Sequence, residues 1–183
     1  MTPCPPSEQA VPRSELRWSL AVGGFVAVIL AATLFAALVL HRNPPSNLER
    51  IDPKTLHLSG EFAEPNLGTR VENGQVVTRI VMTQFAFVPR CVVVPEGRPV
   101  TLRLSTPDVV HGIIVTGTNV NTMVVPGYVS QVHTEFRTLG TLLMPCQEFC
   151  GLGHSQMLAH VEVVPVDQFH PDAQGRVNCA APQ

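Results

Sequence analysis

The run VVTRIVMTQFAF, Val76–Phe87, decides what kind of fold this chain makes. Valine, isoleucine and threonine dominate it, and side chains branched at Cβ suit a pleated surface better than a helix. Similar runs follow at close spacing: CVVVPEG (91–97), PVTLRLST (99–106), VVHGIIVTG (109–117), NTMVVPG (121–127), YVSQVHTEF (128–136), GTLLMPC (140–146) and MLAHVEVV (157–164). Glycine or proline separates them, and many alternate apolar with polar as a half-buried strand does. Beyond residue 55 nothing sustains a 3.6-residue period. Short strands with regular turns predict an all-β sandwich or barrel of about a hundred residues, spanning 75–166. There is no internal repeat.

Working back from Val76, ENGQ (72–75) signals a turn, and residues 55–74 show little periodicity. NPPSNLERIDP (43–53) has the proline and charge content of a linker, so 41–74 is expected to connect rather than to pack. Before it lies WSLAVGGFVAVILAATLFAALVL, Trp18–Leu40, uncharged and with Ser19 and Thr33 as its clearly polar side chains. About 20 apolar residues cross the roughly 30 Å hydrocarbon core of a bilayer. A secretory signal has a shorter apolar core, about 7–15 residues, before a small-residue cleavage site. The run is therefore expected to be a transmembrane helix, with Arg17 and Trp18 at one border and His41 and Arg42 at the other. Arg13 and Arg17 on one side are opposed by Arg42, Arg50 and Lys54 on the other, so charge leaves its orientation open. Residues 1–17 and 167–183 read as tails.

A formal net charge of −2 and a single lysine, Lys54, give no basic face, which excludes nucleic-acid binding. The five cysteines, at 4, 91, 146, 150 and 179, are too unevenly spaced for a disulfide framework. Cys146 and Cys150 belong together and the other three do not. Cys91 reads as a small buried apolar residue. Cys4 follows no apolar run, so it is no lipoprotein acceptor, and neither it nor Cys179 has an assigned role.

The densest chemistry is in MPCQEFCGLGHSQM, Met144–Met157. Thiolate, thioether and imidazole together favour copper, whereas hard cations want oxygen. Zinc also takes Cys and His, but a structural zinc site closes without methionine. A lone methionine is more often core packing, yet Met157 falls where copper would take a weak axial ligand. A mononuclear copper site needs one Cys and two His, the first His from a distant strand, and His111 in DVVHGIIV is the candidate; by itself it would read as a core histidine. That count leaves one cysteine over. Two thiolates can bridge two ions, with His111 and His154 capping one each, and with the Met157 sulfur and the Glu148 carbonyl in the weak positions. The result is a binuclear copper centre held by His111, Cys146, Glu148, Cys150, His154 and Met157. Gly151 and Gly153 allow the loop to fold back on itself.

CQEFCGLGHSQM (146–157) together with DVVHGIIVTGTNVNTMVVPGYVS (108–130) resembles the CuA domain of subunit II of haem–copper cytochrome c oxidases. The single span, LERIDP (48–53), GTNVN (117–121) and CGLGH (150–154) look like its B-type branch. The resemblance covers roughly residues 18–165 and implies a cupredoxin-like Greek-key β-sandwich on one N-terminal transmembrane helix. It also implies the same six metal ligands, retained here where quinol-oxidising relatives have lost them. The implied partners are a haem-bearing oxidase subunit I and a soluble cytochrome c or similar donor, with the copper domain on the periplasmic or outer face of the cell (inner) membrane. Electrons would enter here, and O2 would be reduced in the partner. No residue of this chain is expected to be catalytic by itself, and no haem is expected in it.

In many such oxidases the side chain at the position of Glu148 also binds magnesium at the subunit I boundary, whereas B-type relatives often have Gln. One carboxylate does not make a magnesium site, and the plainer reading is a carboxylate facing a polar subunit boundary. Phe85 and Phe87 fall where the family often presents an aromatic surface to the donor, though alternate core positions explain them equally well. Asp108 places negative charge near the copper or starts a turn. His133 and His160 are structural or surface residues. The alternative function is a membrane-anchored copper chaperone or thiol-redox assembly factor, which also uses two cysteines separated by three residues and a distant His. Such folds alternate helices with strands, and both the all-β pattern and Met157 count against them.

Overall fold

The computed structural model describes residues 13–39, 49–58 and 60–179. Its helix α1, Arg13–Leu38, begins earlier than the apolar run that signals it. Glu15 lies in the first turn, where a carboxylate is favoured by the helix dipole, so the polar RSELR segment extends the helix. None of its side chains is buried, and Phe25, Val28 and Leu34 are exposed. Its 26 residues would reach about 39 Å at 1.5 Å each, long and apolar enough to cross a membrane.

The second unit begins at Leu48. Among the described residues it has twelve strands: β1 (Glu49–Arg50), β2 (Gly68–Glu72), β3 (Gln75–Thr83), β4 (Ala86–Val88), β5 (Cys91–Pro95), β6 (Pro99–Ser105), β7 (His111–Ile114), β8 (Asn121–Val124), β9 (Tyr128–Glu135), β10 (Gly140–Pro145), β11 (Leu158–Val164) and β12 (Arg176–Val177). One sheet runs β1-β9-β6-β3-β2-β12, with β4 also on β3. A second runs β10-β11-β5, and β7 and β8 form a hairpin. β3 pairs with β6 in parallel, Ile80 opposite Leu104, and β5 pairs with β11 in parallel, Cys91 opposite His160.

The period-2 pattern does what it promised. On β6, Val100, Leu102 and Leu104 are buried while Thr101 and Arg103 are only half so, and on β11 Ala159, Val161 and Val163 turn inward. These faces meet Ile80, Met82, Val92, Val94 and Phe136 in one continuous core. The all-β sandwich and the apolar N-terminal helix expected from the sequence are both present.

Order starts before Gln75. β2 and β3 form a hairpin whose turn is Asn73-Gly74, at φ 51° and 78°, the left-handed pair that a tight type I′ connection requires. Upstream, Leu56 and Phe62 are fully buried against Val81 and Val129 as a second, smaller core. Two isolated apolar anchors show no period, which is why this stretch read as linker. Arg103 also ties it down, pairing with Glu61 and, at 2.7 Å, with Glu49. Arg79 joins Glu61 at 3.0 Å and grips Glu72 with two nitrogens at 2.6 and 2.8 Å.

The C-terminal stretch is not a mere tail, and Cys91 is not a free thiol. β12 pairs with β2, Phe169 and Val177 are buried, and Cys179 is disulfide-bonded to Cys91 across 88 residues of sequence. Only the fold brings two cysteines so far apart in sequence together. Cys4 lies outside the described residues.

Candidate metal centre

β10 and β11 are an antiparallel pair, and the segment joining them is the loop from Cys146 to Met157. Its neck is closed by the Cys146 N–H donating to the Met157 carbonyl at 3.0 Å. On the far side the Gln147 N–H donates to Gly112 O at 2.9 Å, and Ile113 bridges Cys146, so β7 is docked against the loop. A Cβ on Gly112 would lie 2.8 Å from Glu148 Cγ and 2.9 Å from Glu148 N, so only glycine lets the strand come this close. The loop then turns through Gly151 at φ 130° into a 3₁₀ turn at His154–Gln156, which delivers His154 and Met157 back toward the cysteines.

The donors converge. Cys146 Sγ lies 3.9 Å from Cys150 Sγ, 3.8 Å from His111 Nδ1 and 3.3 Å from the Glu148 carbonyl oxygen. Cys150 Sγ lies 3.7 Å from His154 Nδ1 and 3.6 Å from Met157 Sδ. A sulfur pair at 3.9 Å is no disulfide, whose bond is about 2.05 Å. It does suit a shared metal ion, since a first-row metal–thiolate bond is about 2.3 Å. His111, Cys146, Cys150 and Met157 are buried, while His154 and the loop tip approach solvent. Burial pushes the Cys150 thiol up to about 11, with the neighbouring Cys146 adding to it. A metal ion supplies the positive charge that such thiols need in order to ionise.

Asp108 has a sharper role than a nearby charge. Its Oδ1 accepts from His111 Nε2 at 2.9 Å, which leaves Nδ1 as the lone-pair nitrogen facing Cys146. Burial alone would raise the Asp108 carboxyl, but donors from Gln84 N–H, His111, Val109 N–H and Thr106 outweigh it and hold it below the usual range. Gln84 is the residue that sequence reasoning missed. Its backbone N–H donates to Asp108 at 2.7 Å and its side-chain amide to the Cys150 carbonyl at 2.6 Å, across 66 residues. No local spacing announces such a contact.

The two phenylalanines part company. Phe87 is core, whereas Phe85 is 40% exposed and its ring lies over the loop, within 2.5 Å of where a Cβ on Gly153 would sit. Gly151 and Gly153 thus make room for an aromatic lid as well as for the turn. Glu148 keeps its side chain exposed, next to Phe149 and Leu152, which project from the loop. His133 bonds Thr101 and Gln131 on the large sheet. His160 lies beside Glu162 and Cys91, apart from the loop donors.

Known proteins resemble this chain in sequence and in fold. The cytochrome c oxidase subunit II periplasmic domain family matches residues 66–164, an interval that also starts ahead of Gln75. A cytochrome c oxidase subunit 2 of Thermus thermophilus is 35% identical over 156 residues, 84% of this chain and 92% of its own length. A second Thermus thermophilus subunit 2 sequence is 36% identical over 122 residues, 66% of this chain and 90% of that one. In fold, the chain is similar to a chain of a heme-copper terminal oxidase dimer solved by cryo-electron microscopy, with a TM-score of 0.53 and 23% identity over 83% of this chain and 99% of that one. On the strength of the family match and the first Thermus thermophilus relative, the chain, an all-β domain behind one apolar N-terminal helix, belongs to the cytochrome c oxidase subunit II family.

Proposed function

We propose that this chain is the electron-entry subunit of a haem–copper oxidase, holding a binuclear copper centre on the Cys146–Met157 loop. Cys146, Cys150, His111 and His154 would hold the two ions, with Met157 Sδ and the Glu148 carbonyl as weaker donors. The observation that carries this reading is the convergence of all six donors about two thiols 3.9 Å apart. When bound, such a centre stores one electron shared over two metals.

The chain's own residues do the rest. Asp108 holds the His111 ring in one tautomer, and Gln84 fixes both Asp108 and the Cys150 carbonyl, so the donors need to move little when charge arrives. Phe85, Phe149 and Leu152 shield the loop and offer an apolar contact to a soluble cytochrome c or similar donor. Electrons then pass to haem in subunit I, where O2 is reduced to water. α1 anchors the chain in the cell membrane, with the copper domain on the periplasmic face. The exposed Glu148 carboxylate faces that partner, and a magnesium ion there would draw its remaining oxygen ligands from subunit I and water.

The test is elemental analysis with electron paramagnetic resonance on the purified full-length chain in detergent. Two coppers per chain and one unpaired electron divided between them are expected. A single copper, or zinc in its place, would refute the binuclear assignment.

A further inference from the structure

The outward face of the small sheet carries a second cluster of metal-binding side chains, well separated in role from the copper loop. On β11, His160 and Glu162 alternate with the core residues Ala159, Val161 and Val163, so both lie on the solvent side. The parallel register sets Cys91 of β5 directly opposite His160. Cys91 Sγ, a His160 ring nitrogen and a Glu162 carboxylate oxygen all lie within 4.8 Å of one another. The C-terminal segment adds the fourth donor, because Cys179 is bonded to Cys91. All four line a single cavity of about 610 Å³, walled also by Arg90 and Val177. His160 Nε2 stands 3.7 Å from Glu162, beyond a hydrogen bond, and no side-chain hydrogen bond occupies either group among the described residues.

In the disulfide form neither sulfur can act as a thiolate. We propose that reduction of the Cys91–Cys179 bond opens a second metal site, in which Cys91, Cys179, His160 and Glu162 bind one zinc ion. Two thiolates, an imidazole and a carboxylate complete a closed tetrahedral set of the kind zinc accepts. The hard carboxylate and the absence of a thioether disfavour copper(I) here, in contrast to the loop. Two electrons and two protons convert the disulfide to two thiols, and zinc binding then displaces both thiol protons. The ion takes over the work of the covalent staple: with zinc bound, the segment carrying β12 stays fastened to the small sheet in the reduced chain. The site shares no donor with the copper loop and stands whether or not the loop's assignment does.

The experiment uses the full-length chain in detergent, oxidised or treated with a water-soluble phosphine. The phosphine gives its electron pair to the disulfide and becomes the phosphine oxide with oxygen from water, which also supplies both thiol protons. Zinc is added, free zinc is removed, and bound zinc per chain is measured for the wild type and for His160→Ala and Glu162→Ala, exposed-face changes that leave the core untouched. Reduced wild type is expected to hold one more zinc ion than oxidised wild type and one more than reduced His160→Ala, with cobalt substitution giving a stronger thiolate charge-transfer band in the reduced wild type than in the oxidised. Equal zinc in the oxidised and reduced wild type overturns the proposal, as does equal zinc in the reduced wild type and reduced His160→Ala.

Discussion

Asp108 and Met157 show how differently residues around one centre are expected to matter. Removing an outer partner of a ligating histidine typically costs about 10–100-fold in metal affinity. Asp108→Ala should therefore weaken copper binding by about that factor in a competition titration against a chelator, because the His111 ring loses the acceptor that orients it. Met157→Leu should keep both coppers and shift the reduction potential, since a long axial bond tunes more than it holds; voltammetry on the copper-loaded chain measures it. The six proposed ligands could be named from the sequence because they sit in two short motifs of unusual chemistry, His111 in one and the other five in the Cys146–Met157 loop. Gln84 could not, because an amide that reaches across 66 residues leaves no trace in local spacing. Asp108 was half legible: the charge was visible, its partner was not.

At the scale of elements, strands with strict alternation were readable, and segments held by single anchors were not. Leu56, Phe62 and the Arg79–Arg103 carboxylate network fasten a stretch that composition alone marked as a linker. Burial alone would raise Glu61, but Arg103 and Arg79 outweigh it, and for Glu72 the Arg79 hydrogen bonds lead, so both carboxyls sit below their ordinary 4.5. Their contribution to stability is thus present above about 4.5 and lost as the pH falls through the lower folded values. Thermal unfolding followed from neutral to acid pH should fall less steeply for Glu61→Gln than for wild type. The Gly112 approach makes a second element-scale prediction: Gly112→Ala drives a Cβ into the Glu148 backbone, at an overpacking cost of about 1–3 kcal/mol, and copper occupancy should drop with Tm. The Cys91–Cys179 bond closes a loop of 88 residues, for which chain-entropy reasoning gives about 4–5 kcal/mol. Denaturant unfolding of the double Cys91→Ala, Cys179→Ala chain should show a loss of that order while the copper signal is kept.

Across the whole molecule there are two units, an apolar helix without buried side chains and an all-β domain, to which the proposed function gives anchoring and electron entry respectively. The helix was legible because hydrocarbon sets a minimum apolar length, and the sandwich because turns punctuate every strand. The closure of the C-terminal segment onto β2 and Cys91 was not, being a contact between distant parts of the chain. The proposed redox unit is two coppers held by Cys146 and Cys150, on the loop that follows β10. Its most direct measurement is the paramagnetic spectrum of the copper-loaded full-length chain beside those of Cys146→Ser and Cys150→Ser. The account predicts one electron split equally by two copper nuclei in the wild type and loss of that pattern in either variant; its survival in either would contradict the bridge.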